Sequence, residues 1–423
     1  MTMRDDTIKL GLLPNIKQFT LLVVANAFVG AMVGFYSLVS LIGEQEFGIV
    51  SKTVILSYVI GFGITKAFCN FYAGKLADRW GRRRILLLGW LFGVPVPILI
   101  ILAPNWWWIV FANVLLGVNQ GLAWSMTVIM KIDLAGPARR GLAMGLNEFA
   151  GYFSVSGSLW ASGYIAALYS LRPEPFYLGL AFTMFGLGLA LLTRETRPYA
   201  LLEAKLRQSE NPLQTSAPQT LASALAPRNV FLFTTFKERA LSSSCFAGLV
   251  NNLIFGMSWG IIPLFFAAHG LDVDTINFIK AFYPGLWGIF QLITGPLSDR
   301  LGRKWLIVTG QFIQASGIWL TVFSRDVTLW IIASGLLGLG TALVYPSLLA
   351  AVSDVAHPEW RGAALGTYRF WRDMGYAVGA GFSGILADIF GMSFSINAVG
   401  WLAFTSGVLV TFRMYETHRR SKK

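Results

Sequence analysis

The sequence predicts an all-α membrane protein in which two six-helix bundles, related by pseudo-two-fold symmetry, cross the bilayer. This prediction rests on three observations. Hydrophobic residues make up 55% of the 423 residues and charged residues only 13%, about half the charged share of a soluble domain. Apolar runs of about 20 residues recur along the chain, and a charged loop motif occurs twice at one spacing.

About twelve apolar runs are long enough to cross a bilayer, because about 20 residues at 1.5 Å each cover about 30 Å of hydrocarbon. Continuous runs rich in Leu, Gly, Phe and Ala favour helices over the alternating strands of a membrane β-barrel. The first run lacks a signal-peptide cleavage site, so we expect it in the mature protein. The predicted spans are 17–41, 52–73, 85–103, 106–130, 141–168, 177–193, 241–266, 275–294, 305–323, 328–353, 362–386 and 392–412.

The net charge is +13, but the basic residues are distributed by membrane topology and are not gathered on one soluble face. We therefore predict no nucleic-acid partner. Only Lys52, Arg172 and Arg325 fall in loops on one side, whereas the termini and the alternate loops are rich in Lys and Arg. Basic residues concentrate in cytoplasmic loops. We therefore predict a multi-pass protein of the cytoplasmic (inner) membrane with both termini in the cytoplasm.

The chain repeats itself with an offset of 221 residues. GKLADRWGRRR at 74–84 matches GPLSDRLGRKW at 295–305, and Asp133 in a later loop matches Asp354 at the same offset. Two loops that share one register indicate duplication of a six-helix unit.

The repeat divides the chain into two halves joined by a polar segment. We predict an N-terminal six-helix bundle at 1–193 and a cytoplasmic linker at 194–240. The linker should begin with an amphipathic helical turn on the membrane surface. The C-terminal bundle and its cytoplasmic tail should occupy 241–423.

The repeated loop carries glycines, an aspartate and arginines at fixed positions. Glycine permits a tight turn, and an aspartate near a helix terminus can accept hydrogen bonds and pair with an arginine four residues later. The residues are Gly74, Asp78, Arg79, Gly81 and Arg82 in the first half and Gly295, Asp299, Arg300, Gly302 and Arg303 in the second.

This double motif resembles the signature of the major facilitator superfamily, in its bacterial form with twelve transmembrane helices. The resemblance covers the chain apart from the linker and tails, and it implies alternating access between two bundles around a central site. It further implies that Asp78 and Arg82 tie the second helix to the eleventh on the cytoplasmic side, with Asp299 and Arg303 as counterparts. A purely topological role of these charges is the alternative.

Two other family signatures are incomplete in this sequence. Gly117 stands where proton-coupled members carry an arginine, three residues before Gln120. The fifth helix lacks the Gly-Pro pair of drug exporters. Drug export is therefore weakened without being excluded.

Charged residues inside the predicted spans are the first candidates for coupling or substrate binding, because a charge at mid-bilayer costs about 2.5–3.5 kcal/mol on insertion scales. Glu148 is the only acid inside the spans of the first half, and a carboxylate that alternates between environments can take up and release a proton. A static ion pair and a substrate contact are the alternatives. The candidates are Lys66, Asn147, Glu148, Arg369, Arg372 and Asp373.

The eleventh helix places Arg369, Arg372 and Asp373 on one face at i, i+3 and i+4. Either Arg369 pairs with Asp373, or the group docks on the second helix near Lys66. A gating or coupling role, binding of an anionic substrate and a structural role remain open. Lys280, near the outer end of its span, should extend its ammonium to the membrane surface.

Polar and aromatic residues in the spans predict a central cavity suited to an amphipathic or aromatic organic solute. Each alone is more often a helix-to-helix contact than a ligand contact. The predicted lining comprises Asn26, Tyr36, Asn113, Gln120, Asn251, Asn252, Trp287 and Tyr345, together with Trp124.

We therefore predict a secondary active transporter that moves a small organic solute by alternating access, coupled to protons and with efflux favoured over uptake. Because embedded cations outnumber embedded acids, an organic-anion carrier is an alternative. A receptor or sensor that keeps this fold without transport is another. All three histidines lie in loops or the tail, so coupling would use carboxylates.

Other functional classes lack their sequence signals. The chain has no nucleophile paired with a base, no metal-ligand cluster and no phosphate-binding glycine loop, so we predict no enzyme, cofactor or metal. Cys69 and Cys245 both lie in spans and predict no disulfide. The expected partners are the lipid bilayer, a small-molecule substrate and protons, and a monomer suffices to form the pathway.

Overall fold

A computed structural model describes residues 10–136, 140–210, 227, 229–357 and 360–418. Every regular element in these ranges is helical, which confirms the predicted all-α class. The predicted linker beyond residue 210 lies largely outside the described residues, as do the first nine and last five residues of the chain.

Twelve long helices follow one another in the described residues, in the order of the predicted spans. We number them α1 to α12. Their bounds are α1 Ile16–Gln45, α2 Ser57–Trp80, α3 Arg82–Ile101, α4 Trp106–Ala135, α5 Arg140–Leu168, α6 Glu174–Leu192, α7 Arg239–Ala268, α8 Val273–Leu301, α9 Lys304–Phe323, α10 Val327–Val355, α11 Arg361–Phe390 and α12 Met392–Arg413.

Shorter elements punctuate these helices. A turn between Ala31 and Tyr36 interrupts α1, and one helical turn, Lys52–Ile55, precedes α2. The helix Arg197–Glu210 follows α6 at the start of the predicted linker. A single π-helical turn, Gln120–Trp124, lies inside α4.

Eight of the twelve helices are long and apolar enough to cross a membrane by length and composition alone. The other four, α2, α5, α8 and α11, are the helices that carry Lys66, Glu148, Lys280 and Asp373. These four helices face one another across the boundary between the halves, with α2 against α11 and α5 against α8. The fold therefore places these four charge-bearing helices between the two bundles.

Close approach of the backbones sets the spacing of this boundary. A Cβ added at Gly63 of α2 would lie 2.6 Å from the backbone nitrogen of Ala377 in α11, so only glycine fits there. On the other side, the Ser156 hydroxyl of α5 donates a 2.7 Å hydrogen bond to the Ala281 carbonyl of α8. Small residues let helices in a membrane pack this tightly.

The two ends of the bundle differ in how they close. At one end, the Asp388 carboxylate of α11 accepts hydrogen bonds from the Ser51 hydroxyl at 2.8 Å and from the backbone N–H groups of Lys52 and Thr53 at 2.5 and 3.0 Å. We call these four residues the clasp and this end the clasp end. The opposite end, which contains the two repeated loops, is the motif end.

The glycines that begin the two repeated loops lie open at the motif end. An added Cβ at Gly74 of α2 or Gly295 of α8 would meet no described atom within 4 Å. The described residues therefore form a conformer in which hydrogen bonds tie the halves together at the clasp end, and in which these two glycines at the motif end are not covered by the opposite half.

Candidate functional site

The predicted coupling residues converge at the boundary between the halves. We define the central cluster as Lys66 and Asn70 of α2, Glu148 of α5, and Arg372 and Asp373 of α11. All but Asn70 are buried. Five residues that lie up to about 300 positions apart in the chain thus share one site because α2, α5 and α11 meet there.

Asp373 accepts hydrogen bonds on both carboxylate oxygens, and the bond from Asn70 joins the two halves. Arg372 donates to Oδ1 from Nη2 at 2.6 Å and from Nε at 2.9 Å. Asn70 donates to Oδ2 from α2 at 2.6 Å, and Ser125 of α4 in turn donates to the Asn70 side-chain oxygen. The buried carboxylate is therefore satisfied on each oxygen.

The structure distinguishes the two predicted arrangements of the charged residues on α11. No ion pair joins Arg369 to Asp373 among the described residues, so the pairing within one helical turn is wrong. The Asp373 carboxylate accepts hydrogen bonds from Asn70 on α2 and from the guanidinium of the adjacent Arg372. The Arg372–Asp373 pair instead docks on the second helix near Lys66, as in the second predicted arrangement.

Glu148 lies between cations of both halves and is not engaged in an ion pair with any described residue. Its Oε1 accepts hydrogen bonds from Asn147 Nδ2 at 3.0 Å and from Trp124 Nε1 at 3.3 Å. Its Oε2 is buried and has no hydrogen-bond partner in the described residues. The positive charges of Arg372 and Arg369, both on α11 of the second half, act on this carboxylate.

Lys66 is held by aromatic faces rather than by a carboxylate. Its Nζ lies 5.4 Å from the ring centre of Phe62, 5.7 Å from that of Trp124 and 5.0 Å from that of Tyr376. Arg372 likewise lies over the Tyr345 ring at 5.0 Å. Aromatic faces attract cations, most strongly when the cation is removed from water.

Stacked aromatic side chains extend this site across the boundary. Tyr36 of α1 stacks on Trp259 of α7 with ring centres 4.3 Å apart, and Tyr152 of α5 stacks on Trp287 of α8 at 3.4 Å. Trp287 also contacts Tyr345 edge-on at 6.0 Å. Three residues of the predicted lining, Tyr36, Trp287 and Tyr345, thus lie beside the central cluster.

The repeated loops form the same network in each half. In the first half, Arg82 Nε contacts Asp133 Oδ2 at 3.0 Å, and Arg82 Nη1 contacts Asp78 Oδ1 at 3.2 Å. The Glu195 carboxylate accepts the backbone N–H groups of Arg82 and Arg83 at 3.0 and 3.1 Å, which stabilises the start of α3.

The second half copies these contacts at the 221-residue offset. Arg303 contacts Asp299 at 2.7 Å and Asp354 at 3.2 Å, and Glu416 accepts the N–H groups of Arg303 and Lys304 at 2.9 and 3.2 Å. Glu195 and Glu416 were missed by sequence reasoning. The Glu-Thr dipeptides at 195–196 and 416–417 share the repeat register and would have revealed them.

The tight turn in each repeated loop has a steric cause. Gly81 and Gly302 have φ of 92° and 101°, which L-residues with a side chain rarely adopt. A Cβ at either position would also lie within 2.6 Å of the Glu195 or Glu416 carboxylate. Glycine therefore lets each glutamate cap the helix that follows.

The tie from Asp78 to α11 is not formed in this conformer. The side chains of Asp78 and Asp299 are 74% and 66% exposed, and each contacts only the arginine of its own loop among the described residues. Arg79 and Arg300 are exposed at the motif end. The inter-half role of these residues stays a prediction.

The chain matches a known family along most of its length. A family model described as Major Facilitator Superfamily matches residues 20–241 and 244–423. The chain belongs to the Major Facilitator Superfamily. This confirms the resemblance of the repeated loops, and it makes the protein a membrane transporter of small molecules and not an enzyme.

Relatives of this superfamily member are transporters. It is 26% identical over 166 residues to the inner membrane transport protein YnfM of Escherichia coli, an alignment that covers 38% of this chain and 39% of YnfM. It is 26% identical over 332 residues to the multidrug resistance protein MdtG of Enterobacter lignolyticus, covering 75% and 73% of the two chains. A D-xylose-proton symporter structure has a TM-score of 0.70 at 16% identity, covering 94% of this chain and 99% of that one.

Other predicted lining residues of this facilitator make contacts inside one half. Gln120 donates to the Val29 carbonyl at 2.8 Å, and Asn113 donates to the Ile109 carbonyl of its own helix at 2.8 Å. Asn251 accepts a 2.7 Å hydrogen bond from Gln314. Asn252 accepts a 3.3 Å hydrogen bond from Asn251. In this conformer Gln120 and Asn251 join neighbouring helices of one bundle, whereas the hydrogen bonds of Asn113 and Asn252 stay within their own helices.

Asn26 belongs instead to a network that supports Glu148. Asn26 Nδ2 donates to the Asn147 carbonyl at 2.7 Å, and Thr127 of α4 donates to Asn26 Oδ1 at 2.7 Å. Because Asn147 also donates to Glu148, the facilitator holds this carboxylate through residues of α1, α4 and α5.

Two buried lysines of the facilitator were misplaced by sequence reasoning. The predicted fourth span ended at residue 130, but α4 continues to Ala135, so Lys131 is buried and its Nζ lies 3.4 Å from the Leu22 carbonyl. The prediction that Lys280 reaches the surface is wrong, since its Nζ is buried and donates to the Ser258 carbonyl at 2.7 Å. Thr127 and Lys131, at i and i+4 on the face toward α1, were the available signal.

Proposed function

We propose that this facilitator is a proton-coupled secondary transporter of a small organic solute, that it works by alternating access and that Glu148 carries the proton. The observation that supports this most is the position of Glu148, which faces cations of the opposite half across the moving boundary. Its unpartnered Oε2 leaves room for a proton.

Proton coupling follows from the charges around this carboxylate. Arg369 and Arg372 on α11 favour its ionised form, whereas Lys66 on α2 and Lys131 on α4 belong to its own half and stay with it. When the halves rock apart, the α11 cations withdraw and the carboxylate binds a proton more readily. Their return releases that proton. Glu148 thus links protonation to the position of the second half.

The distribution of basic residues supports a cytoplasmic motif end. Lys75, Arg79, Arg84 and Arg194 are exposed there, and the clasp end carries few such residues. The positive-inside rule assigns the basic end to the cytoplasm. We infer that both termini lie in the cytoplasm and that the protein works as a monomer in the inner membrane.

Efflux is the direction that we propose. In this conformer Gly74 and Gly295 at the motif end are not covered by the opposite half, which leaves space there for a solute from the cytoplasm. One relative is named a multidrug resistance protein, which is consistent with export of organic compounds by this chain as well. The proton would then return inward as the solute leaves.

The test uses the purified full chain in proteoliposomes with an imposed pH gradient. Flux of ethidium, fluorescein and norfloxacin is measured for the parent protein, Glu148→Gln and the control Glu46→Gln, whose residue pairs with Arg172 at the clasp end. We expect Glu148→Gln to abolish gradient-driven flux while keeping exchange of labelled for unlabelled solute. Equal gradient-driven flux in Glu148→Gln would contradict coupling through this residue.

A further inference from the structure

The embedded charges of the first half and of α11 are out of balance. Among the described residues around the central cluster, the buried basic groups are Lys66, Lys131 and Arg372, with Arg369 half-buried beside them, and the buried acids are Glu148 and Asp373. Uncompensated charge at membrane depth is costly, so an excess of cations indicates a missing anion.

Lys66 is the cation whose donors are left open. Within the described residues its ammonium makes no hydrogen bond and no ion pair, although only 8% of the residue is exposed. Asp373 acts on it electrostatically, but the oxygens of Asp373 already accept from Arg372 and Asn70. An ammonium group has three hydrogen-bond donors and no acceptor, so the oxygens of an anion would accept the hydrogen bonds that Lys66 can donate.

The other buried lysines differ in this respect. Lys280 donates to the Ser258 carbonyl at 2.7 Å, and Lys131 lies 3.4 Å from the Leu22 carbonyl. Both therefore have an acceptor within their own half. Lys66 faces the boundary between α2 and α11 instead, where a solute would pass.

The aromatic rings around Lys66 indicate the shape of the rest of the ligand. Phe62, Trp124 and Tyr376 surround the ammonium at 5.0 to 5.7 Å, and Tyr345 lies beneath the Arg372 guanidinium. Aromatic faces favour a flat apolar group by stacking. An anion next to a flat body would match both the open donors and the rings.

We propose that the substrate is a flat organic anion, such as an aromatic carboxylate, and that Lys66 binds its negative oxygens. This inference rests on the proposed transport function and specifies its substrate class. A cationic substrate would add to the existing excess of positive charge, and a neutral one would leave that excess uncompensated. Glu148, with its open oxygen, is the site that a cation would take instead.

The experiment measures binding to the full chain in nanodiscs by calorimetry. Three flat bodies of one, two and three rings are each presented with a carboxylate, a carboxamide or a methylammonium group: benzoate, 2-naphthoate and 9-anthracenecarboxylate with their matched amides and amines. We expect the best carboxylate to bind at least about tenfold more tightly than its amide and amine.

Variants locate the anion at Lys66. Lys66→Gln should weaken carboxylate binding about tenfold or more and leave amide binding unchanged, whereas Lys66→Arg should retain most of it. Lys280→Gln is the matched control, a buried lysine with a backbone acceptor, and should leave carboxylate binding unchanged. Size-exclusion profiles confirm that each variant is folded.

Three binding results overturn the inference. The first is tighter binding of the amines or amides than of the carboxylates, and the second is no binding by any member of the panel. The third is carboxylate binding that Lys66→Gln leaves intact. Proton-driven flux of an amine would refute the anion assignment and leave the transport proposal standing. Binding of a carboxylate through Lys66 without gradient-driven flux would support the anion assignment and refute the coupling.

Discussion

Asp388 of the second half accepts a 2.5 Å hydrogen bond from the backbone N–H of Lys52 in the first half. Two further donors, Ser51 and Thr53, reach the same carboxylate. Elsewhere in the described ranges the hydrogen bonds across the boundary are scattered, and they include those from Asn70 to Asp373 and from Ser156 to Ala281. The clasp therefore concentrates inter-half hydrogen bonding on one carboxylate at the end opposite the repeated loops.

Removing this carboxylate should open the clasp end. Asp388→Ala loses three solvent-exposed hydrogen bonds to a charged acceptor, which together should be worth at least about 1.4 kcal/mol, so the clasp-end-open population should rise at least about tenfold. The reporter is Ser40→Cys, a buried position on α1 near Trp259, in a background in which Cys69 and Cys245 are replaced by serine. Its labelling by a membrane-impermeant maleimide is measured.

The control for the clasp is Asp326→Ala. Asp326 caps the start of α10 through Leu329 N–H at 3.0 Å, within one half. Asp326→Ala should leave the labelling of Ser40→Cys unchanged. Equal labelling in Asp388→Ala and Asp326→Ala would show that the clasp does not hold the halves together.

The two loop networks should differ in stability despite their equal geometry. Arg82→Ala leaves Asp133, whose side chain is 8% exposed, as a buried unpaired charge and should cost about 3–5 kcal/mol of stability. Arg303→Ala should cost less, because the side chain of Asp354 is 28% exposed. Thermal unfolding in detergent compares the two, and adding Asp133→Asn should restore part of the loss in Arg82→Ala. A larger loss in Arg303→Ala would oppose this reasoning.

Glycine substitutions should separate turn geometry from gating. Gly81→Ala should lower stability by at least about 1–2 kcal/mol, because of its positive φ and the Glu195 carboxylate against it. Gly74→Ala should leave thermal stability unchanged or slightly raised, because Gly74 is helical and its Cβ meets no described atom. If Gly74 is needed for approach of α11 in the other conformer, Gly74→Ala will still slow transport. Unchanged flux in that stable variant argues against a gating role for Gly74.

Asp78→Asn should affect conformational balance without affecting stability. Its carboxylate is exposed in this conformer, so its loss should matter only when the motif end closes. We expect lower flux and a larger motif-end-open population. Spin labels at Lys75 on α2 and Ala363 on α11, both exposed, report the distance between the halves at this end. An unchanged distance distribution would rule out the inter-half tie.

Sequence patterns alone were sufficient for the helical class, the two halves and the repeated loop. The apolar runs match the observed helices because the cost of burying backbone groups in lipid is met locally by helix formation. The 221-residue register relates Arg82 to Arg303 and Asp133 to Asp354 because each network forms within one half. Those features depend on the local chain and on the duplication.

The partners of the embedded charges required the tertiary structure. The sequence indicated that Glu148, Lys66 and Asp373 were unusual, but not that Asn70 contacts Asp373 across the boundary. The predicted eleventh span stopped before Asp388, and nothing near it in sequence indicates Lys52 as its donor. Which helices face each other is decided by packing between segments hundreds of residues apart, and that packing determines the partner of each buried charge.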